Sequence, residues 1–440
     1  MNTGAKPQWP PGRQAWYATS VLMIAYLFNY VDRQILSMLV KPIKADLALS
    51  DTQVSLLHGM AFAICYTVLG VWPVGRWADT GNRRNVIAGG VFLWSLMTTL
   101  CGRASTYGGL FLARIGVGIG ESALTPSAYS MLADYFPPEK RGRALGLFAM
   151  GVYFGIGLSI TIAGLVIGLI AAQPTITLPL LGDVGSWQVA FLVVGPPGLL
   201  VALWVLSLKE PARIGAGAQP GLRFGDALAY MLRHWRFYAA ITVGVALLTL
   251  LFNAAAFWLP EFLRRRHGFD ALQIAWTYGP TMFVFGALGI VSGGSAADSL
   301  RKRGRRDAEL LTGMGSALGL IPCTWLVFQS GSTGTVLAAM AAMLFLSSFP
   351  FGACSAAVQL VTPNQFRARL SAIYLLVLNI TGIGLGSTAA AVLTDYLFVD
   401  ETRVGDSVTL IACCAAPLAA LAFAGGRREY RRMQLGGATG

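Results

Sequence analysis

Gly75-Arg76-Trp77-Ala78-Asp79-Thr80-Gly81-Asn82-Arg83-Arg84 and, roughly half a chain later, Gly294-Ser295-Ala296-Ala297-Asp298-Ser299-Leu300-Arg301-Lys302-Arg303 share one pattern: a Gly, an Asp four residues on, and a pair of bases four residues after that. Each stretch follows a long apolar run. A second pair of loops repeats as well, because Pro137, Arg141 and Arg143 keep the spacing of Pro363, Arg367 and Arg369. Two loop matches, each offset by roughly half the chain, imply duplication of one unit, as weak internal symmetry does in many transporters.

The composition says what that unit is made of. Of the 440 residues 55% are hydrophobic and 12% charged, against about 25% charged in soluble domains. A soluble fold this apolar has too little polar surface to cover itself, so the chain is read as an all-α membrane protein. Cutting the apolar runs at polar, Pro-bearing or charged breaks gives twelve crossings, 17–40, 52–74, 86–104, 108–132, 143–171, 187–208, 237–263, 272–297, 309–329, 335–361, 370–396 and 407–425. Both termini are expected in the cytoplasm. Arg76, Arg83, Arg84, Lys140, Arg141, Arg143, the bases from Arg301 to Arg306, Arg367, Arg369, Arg427, Arg428, Arg431 and Arg432 then share the inner side. The outer side keeps Lys41, Lys44, Arg103, Arg264, Arg265, Arg266 and Arg403.

The expected organisation is a cytoplasmic segment 1–16, a six-helix bundle 17–208, a linker 209–236, a second six-helix bundle 237–425 and a tail 426–440. Within the linker, Phe224 to Trp235 reads as a short amphipathic helix or a solvated stretch. Residues 1–16 carry no apolar core ending in a cleavage site, so no signal peptide is expected. The net charge of +13 lies in short clusters between apolar runs rather than on one aromatic-bearing face, which argues against nucleic acid. Cys65, Cys101, Cys323, Cys354, Cys413 and Cys414 show no metal-ligand spacing with His58, His234 and His267 and are read as small buried hydrophobes. No metal and no cofactor are expected. A lipid-modifying enzyme would carry an acid, His or metal cluster at the interface, and direct ATP use a Walker sequence; neither pattern is present.

The Gly75, Asp79, Arg83 and Arg84 pattern resembles the signature between helices two and three of the major facilitator superfamily. The resemblance implies the major facilitator fold, two pseudo-symmetric six-helix bundles, and a cytoplasmic gate at Gly75, Asp79, Arg83 and Arg84 and its second copy Asp298, Lys302 and Arg303. Gly allows close helix approach, while the Asp caps a helix or pairs with a base. Within that superfamily the chain resembles Spinster-type transporters, proposed carriers of lysophospholipids and sphingosine-phosphate-like lipids. The residues that carry this are Asn29-Tyr30-Val31-Asp32-Arg33, the run from Ala113 and Arg114 to Glu121, and Asp134 to Arg143. The Pro-bearing fifth-helix signature of many drug antiporters is not cleanly matched: Gly146, Gly151, Gly155 and Gly157 occur without its Pro.

Ionisable residues inside the bilayer cost about 2.5–3.5 kcal/mol each on insertion scales, so they need a partner or a task. Asp32 and Arg33 in crossing one and Arg114 and Glu121 in crossing four stand out. Seven residues separate Arg114 from Glu121, about 10.5 Å of rise on one helix face, so both are expected to look into one cavity. Asp32 and Glu121 are read as proton-coupling groups, Arg33 and Arg114 as counter-charges or substrate-anion partners. Asn29, Tyr30, His58, Tyr129, Tyr153, Asn253, Phe257, Tyr278, Tyr374 and Asn379 are candidate cavity lining, though each alone is as well read as a packing residue. Glu261, Arg264, Arg265, Arg266 and His267 read first as a surface charge cluster and second as an external gate. The expected function is proton-coupled, alternating-access transport of an amphiphilic anion such as a lysophospholipid, with transport of drugs or smaller organic anions as the alternative. The expected partners are that substrate, protons and the lipid bilayer, with a monomer as working unit in a bacterial-type inner membrane; a passive channel is the competing class.

Overall fold

A computed structural model describes residues 9–60, 66, 77, 81–170, 175–178, 182–213 and 224–436. Their regular structure is helical except for one antiparallel hairpin, which pairs Thr175–Leu178 with Gly182–Gly185. That hairpin departs from a purely helical expectation. Its first strand is made of β-prone Thr and Ile, and its second begins at Gly182, with φ +71°. Eight helices among the described residues are long and apolar enough to cross a membrane.

The chain divides into two compact units, Met1–Pro42 with Ile64–Ala218, and Ile43–Ala63 with Gln219–Gly440. In the first, helix Gly12–Gln34 packs along Pro138–Ile170. A Cβ at Gly155 would lie 2.5 Å from the Leu27 carbonyl oxygen, and one at Gly151 2.8 Å from that of Met23. The absent side chains let the two backbones touch. Helix Arg83–Cys101 packs on Ser186–Leu206 and Tyr107–Glu121, and Trp94, Val117, Met131 and Phe148 close the apolar core.

Crossing four is not one helix. It runs Tyr107–Glu121 and restarts at Leu124–Tyr135. Pro126 explains the break: it has no N–H for the Ser122 carbonyl four residues back, and its ring clashes there. Glu121 is thereby left at a helix end.

In the second unit, Trp235–His267 packs on Val404–Gly436, and Ala308–Gln329 on both Thr333–Val361 and Val404–Gly436. π-helical turns at Met282–Gly286, Asn379–Leu385 and Leu393–Phe398 interrupt its helices. The last helix continues past the expected end of crossing twelve, through Arg427 and Arg431 to Gly436. Helix Asp51–His58 also belongs to this unit and packs on Gly386–Val392. Its start is fixed by a capping box, Ser50 Oγ accepting from the Gln53 amide at 3.1 Å and Gln53 Oε1 from the Ser50 amide at 2.9 Å. Gly59 ends it where no side chain fits, since a Cβ would stand 2.8 Å from the carbonyl oxygens of Ile383 and Gly384. Cys413 and Cys414 are exposed on the last helix, which corrects the expectation that all six cysteines are buried. They occupy a stripe of an apolar helix that faces away from the protein.

Candidate functional site

The four intramembrane charges of the first unit come together, all buried: Asp32 and Arg33 near the end of helix Gly12–Gln34, Arg114 and Glu121 on Tyr107–Glu121. Arg33 Nη2 donates to Glu121 Oε2 at 2.6 Å and Arg33 Nε to the same oxygen at 3.3 Å. Arg33 Nη2 also reaches Asn29 Oδ1 at 3.4 Å, one turn back on its own helix. The guanidinium lies 4.7 Å from the Tyr30 ring centroid and 5.6 Å from that of Tyr66, so two aromatic faces cover it. Arg114 Nη1 donates to the Asp32 carbonyl oxygen at 3.1 Å.

Neighbouring positions on a helix point about 100° apart. Arg33 therefore turns to Glu121 while Asp32 turns to the side of Arg114 and Thr98. Asp32 Oδ1 and Glu121 Oε1 have no hydrogen-bond partner among the described residues. Two acids and two bases make the cluster neutral when all are ionised, and a proton on either acid leaves it net positive. Sequence spacing put Arg114 and Glu121 on one face, yet the partner that touches Glu121 is Arg33 from the adjacent helix. Tyr66 was absent from the expected lining; an aromatic in a long apolar run carries no signal of its own.

The expected lining residues divide. Tyr153 is buried and Tyr129 half-open, its ring edge-on to Phe148. In the second unit His58 and Phe257, both buried, stack with centroids 4.3 Å apart. Tyr278 donates to the Ala256 carbonyl oxygen at 3.1 Å and Asn253 to that of Thr249 at 2.8 Å, which are bonds of helix packing. Tyr374 is buried, and Asn379 opens a π-helical turn.

Gly75 and Asp79 lie outside the described residues. Arg83 is fully buried, although a base in a loop reads as solvated. Its Nη1 donates to Ser130 at 2.9 Å and pairs with Asp134, Nε pairs with Glu210 at 2.7 Å, and Nη2 donates to the Pro211 carbonyl oxygen at 3.1 Å. Arg84 donates to the carbonyl oxygen of Leu208 at 3.2 Å. The second copy is built differently. Asp298, Lys302 and Arg303 are exposed, and Arg301 carries the ion pair, to buried Glu309. Tyr430 donates to Glu309 at 2.9 Å, and Arg427 and Arg431 each reach Asp307 at 2.5 Å. Burial raises the Asp307 pKa, but the two arginines outweigh it and hold the carboxyl below its ordinary range.

The charges at the C-terminal end of Trp235–His267 are mostly drawn into the protein rather than solvated, Arg266 alone among them being exposed. Glu261 is buried and accepts from Arg264 Nη1 at 2.5 Å and Arg265 Nε at 2.8 Å. Arg265 grips buried Asp51 with both Nη atoms, at 2.7 and 2.9 Å, and Lys44 reaches Asp51 at 2.5 Å and Glu401 at 2.8 Å. Burial raises the Asp51 pKa, while the hydrogen bonds and charge of Arg265 and then Lys44 bring it below the usual value.

Residues 22–396 match the Major Facilitator Superfamily. An MFS-type efflux pump of Mycolicibacterium smegmatis is 31% identical over 96% of this chain and 94% of its own length. A probable L-galactonate transporter of Escherichia coli is 26% identical over 92% of this chain and 88% of its own. The sphingosine-1-phosphate transporter of Danio rerio is 26% identical over 63% of this chain and 54% of its own. Among solved structures, a bacterial homologue of the human lysosomal transporter Spinster, inward-facing and unoccupied, superposes with a TM-score of 0.75 at 26% identity, covering 97% of this chain and 95% of that one.

Proposed function

The chain belongs to the major facilitator superfamily of transporters, within which it is Spinster-like, and on that premise we propose that it is a secondary active, proton-coupled, alternating-access carrier of an amphiphilic organic anion such as a lysophospholipid or sphingosine-phosphate-like lipid. It is an integral multi-pass membrane protein whose fold implies twelve helices; its relatives are transporters rather than enzymes. The observation that carries the proposal is the buried Arg33–Glu121 pair with Asp32 and Arg114 beside it. A proton on Glu121 removes the negative charge that holds Arg33. The freed guanidinium then takes a phosphate or carboxylate of the substrate bidentately, which a Lys would not do. Binding of substrate and of proton are linked in this way through one side chain. The runner-up role for the cluster is a permanent ion pair that fixes two helices.

The Arg83 and Asp307 networks fit gates on the cytoplasmic side, with both termini there and the membrane a bacterial-type inner membrane; a single chain suffices as the working unit. The base-rich loops on one side support that orientation. A second reading, transport of drugs or smaller organic anions, is favoured by the resemblance to an efflux pump and a probable L-galactonate transporter. Uptake of labelled lysophospholipid and of galactonate into proteoliposomes, with and without an imposed pH gradient, decides between them. Gradient-dependent movement of the lysolipid alone supports the first reading, galactonate alone the second, and movement of neither with a gradient overturns proton-coupled transport of both classes.

A further inference from the structure

Between helices Arg83–Cys101 and Ser186–Leu206 of the first unit runs a cavity of about 330 Å³ whose walls include Ala88, Gly89, Phe92, Leu199, Leu203 and Leu206. Small residues make its floor and large apolar ones its rim. A Cβ at Gly89 would meet no atom within 4 Å, and Phe92 and Leu203 are more than half exposed. These helices cross a bilayer, so the groove lies where lipid chains are the solvent. Lipid tails are as apolar as Leu, so an apolar groove alone selects no particular lipid.

The selecting element stands at one end. Asn85 and Leu206 close the groove there, and Arg84 bridges them, Nε donating to Asn85 Oδ1 at 3.0 Å and Nη1 to the Leu206 carbonyl oxygen at 3.5 Å. Among the described residues no carboxylate forms an ion pair with the Arg84 side chain, whereas its neighbour Arg83 has two. Partly exposed, the Arg84 guanidinium thus presents positive charge at the groove mouth with no ion-pair partner among the described residues, the Glu210 carboxylate accepting from the Arg84 amide at 3.0 Å and from the Arg83 side chain instead. The depth of that mouth is marked independently. Trp204 Nε1 donates to Tyr17 OH at 2.9 Å, and Tyr17 OH bonds Ser207 at 2.8 Å, with both rings partly exposed at the same end of the helix. Trp and Tyr so arranged sit at headgroup level.

We infer that this groove is a binding site for an anionic diacyl phospholipid, one chain lying along Gly89 and Leu203 and the phosphate on Arg84. The inference does not depend on which substrate is carried.

Native mass spectrometry of the purified full-length chain, titrated with phosphatidylglycerol or with phosphatidylcholine of the same acyl chains, tests it. One interfacial Arg contributes ~1 kcal/mol, so phosphatidylglycerol should be retained about five-fold better. Arg84→Gln should bring the two lipids level while phosphatidylcholine retention stays unchanged. Gly89→Leu, which fills open space, should reduce retention of both, and Leu203→Trp gives a second obstruction should the first variant lose its helical spectrum. Equal retention by the unaltered protein, or a preference that survives Arg84→Gln, overturns the site. So does a phosphatidylglycerol preference that persists in both groove-filling variants and is matched by inorganic phosphate alone, which would assign Arg84 to a free anion.

Discussion

Glu121 receives two donors of Arg33 on one oxygen, Oε2, at 2.6 and 3.3 Å, while Oε1 accepts nothing among the described residues. The contact is thus a bifurcated grip and not a two-by-two fork. In the proposed coupling, a proton on Oε1 would neutralise the carboxyl without first displacing Arg33, after which the attraction would lapse. In a protein interior the gain from pairing offsets desolvation only while both charges persist.

Arg33→Gln should cost roughly 3–5 kcal/mol, because it leaves Glu121 as an uncompensated buried charge. The double variant Arg33→Gln with Glu121→Gln should recover most of that loss. Thermal unfolding in detergent, compared across the cycle, checks it; a loss in the double variant equal to the sum of the two single-variant losses would show that the pair contributes no coupling.

Gly155→Val should destabilise by about 1–3 kcal/mol by forcing helix Gly12–Gln34 off its neighbour. Gly146→Val, where a Cβ meets nothing within 4 Å, is the control and should stay near the original melting point. Matching shifts for the two variants would refute backbone contact as the cause.

Removing Arg83 by Arg83→Gln orphans Asp134 and Glu210 and should cost roughly 1–3 kcal/mol. Lys302→Gln, at the matching place in the second copy, should change stability by less than ~0.5 kcal/mol because Lys302 is exposed. Denaturation of both variants measures how unequal the two copies are.

Asp51→Asn should lower the thermal midpoint at neutral pH, and its difference from the unaltered protein should shrink in acid. Asp51 has a folded-state pKa depressed below its unfolded value of about 3.9. Its contribution is therefore present above the unfolded value and lost as pH falls through the folded one. A difference independent of pH down to that range would mean that the carboxylate charge is not what Arg265 and Lys44 hold.

The duplicated loops and the apolar runs made the architecture legible, since membrane insertion leaves little choice about what a long uncharged stretch does. The intramembrane charges were legible for the same reason: each is costly unless it has a partner. Which partner was not. Arg83 meets Asp134 and Glu210 from 51 and 127 positions away, and Arg265 meets Asp51 from 214 positions away, and periodicity within one helix says nothing of the neighbour against it. For that reason the outer bases read as a surface cluster, and Lys302 read as the equal of Arg83. The Ser122 interruption was visible in principle, because Pro126 lies inside a run taken as one helix.

Gradient-driven uptake by the Glu121→Gln variant in proteoliposomes, measured across pH beside the unaltered protein, tests proton coupling at this cluster most directly. Loss of accumulation against a gradient, with substrate still bound and its affinity much less dependent on pH, is the predicted result; Asp32→Asn in the same background should remove what pH dependence remains. Full accumulation with an unaltered pH profile would contradict it and leave the Arg33–Glu121 pair as a brace between two helices.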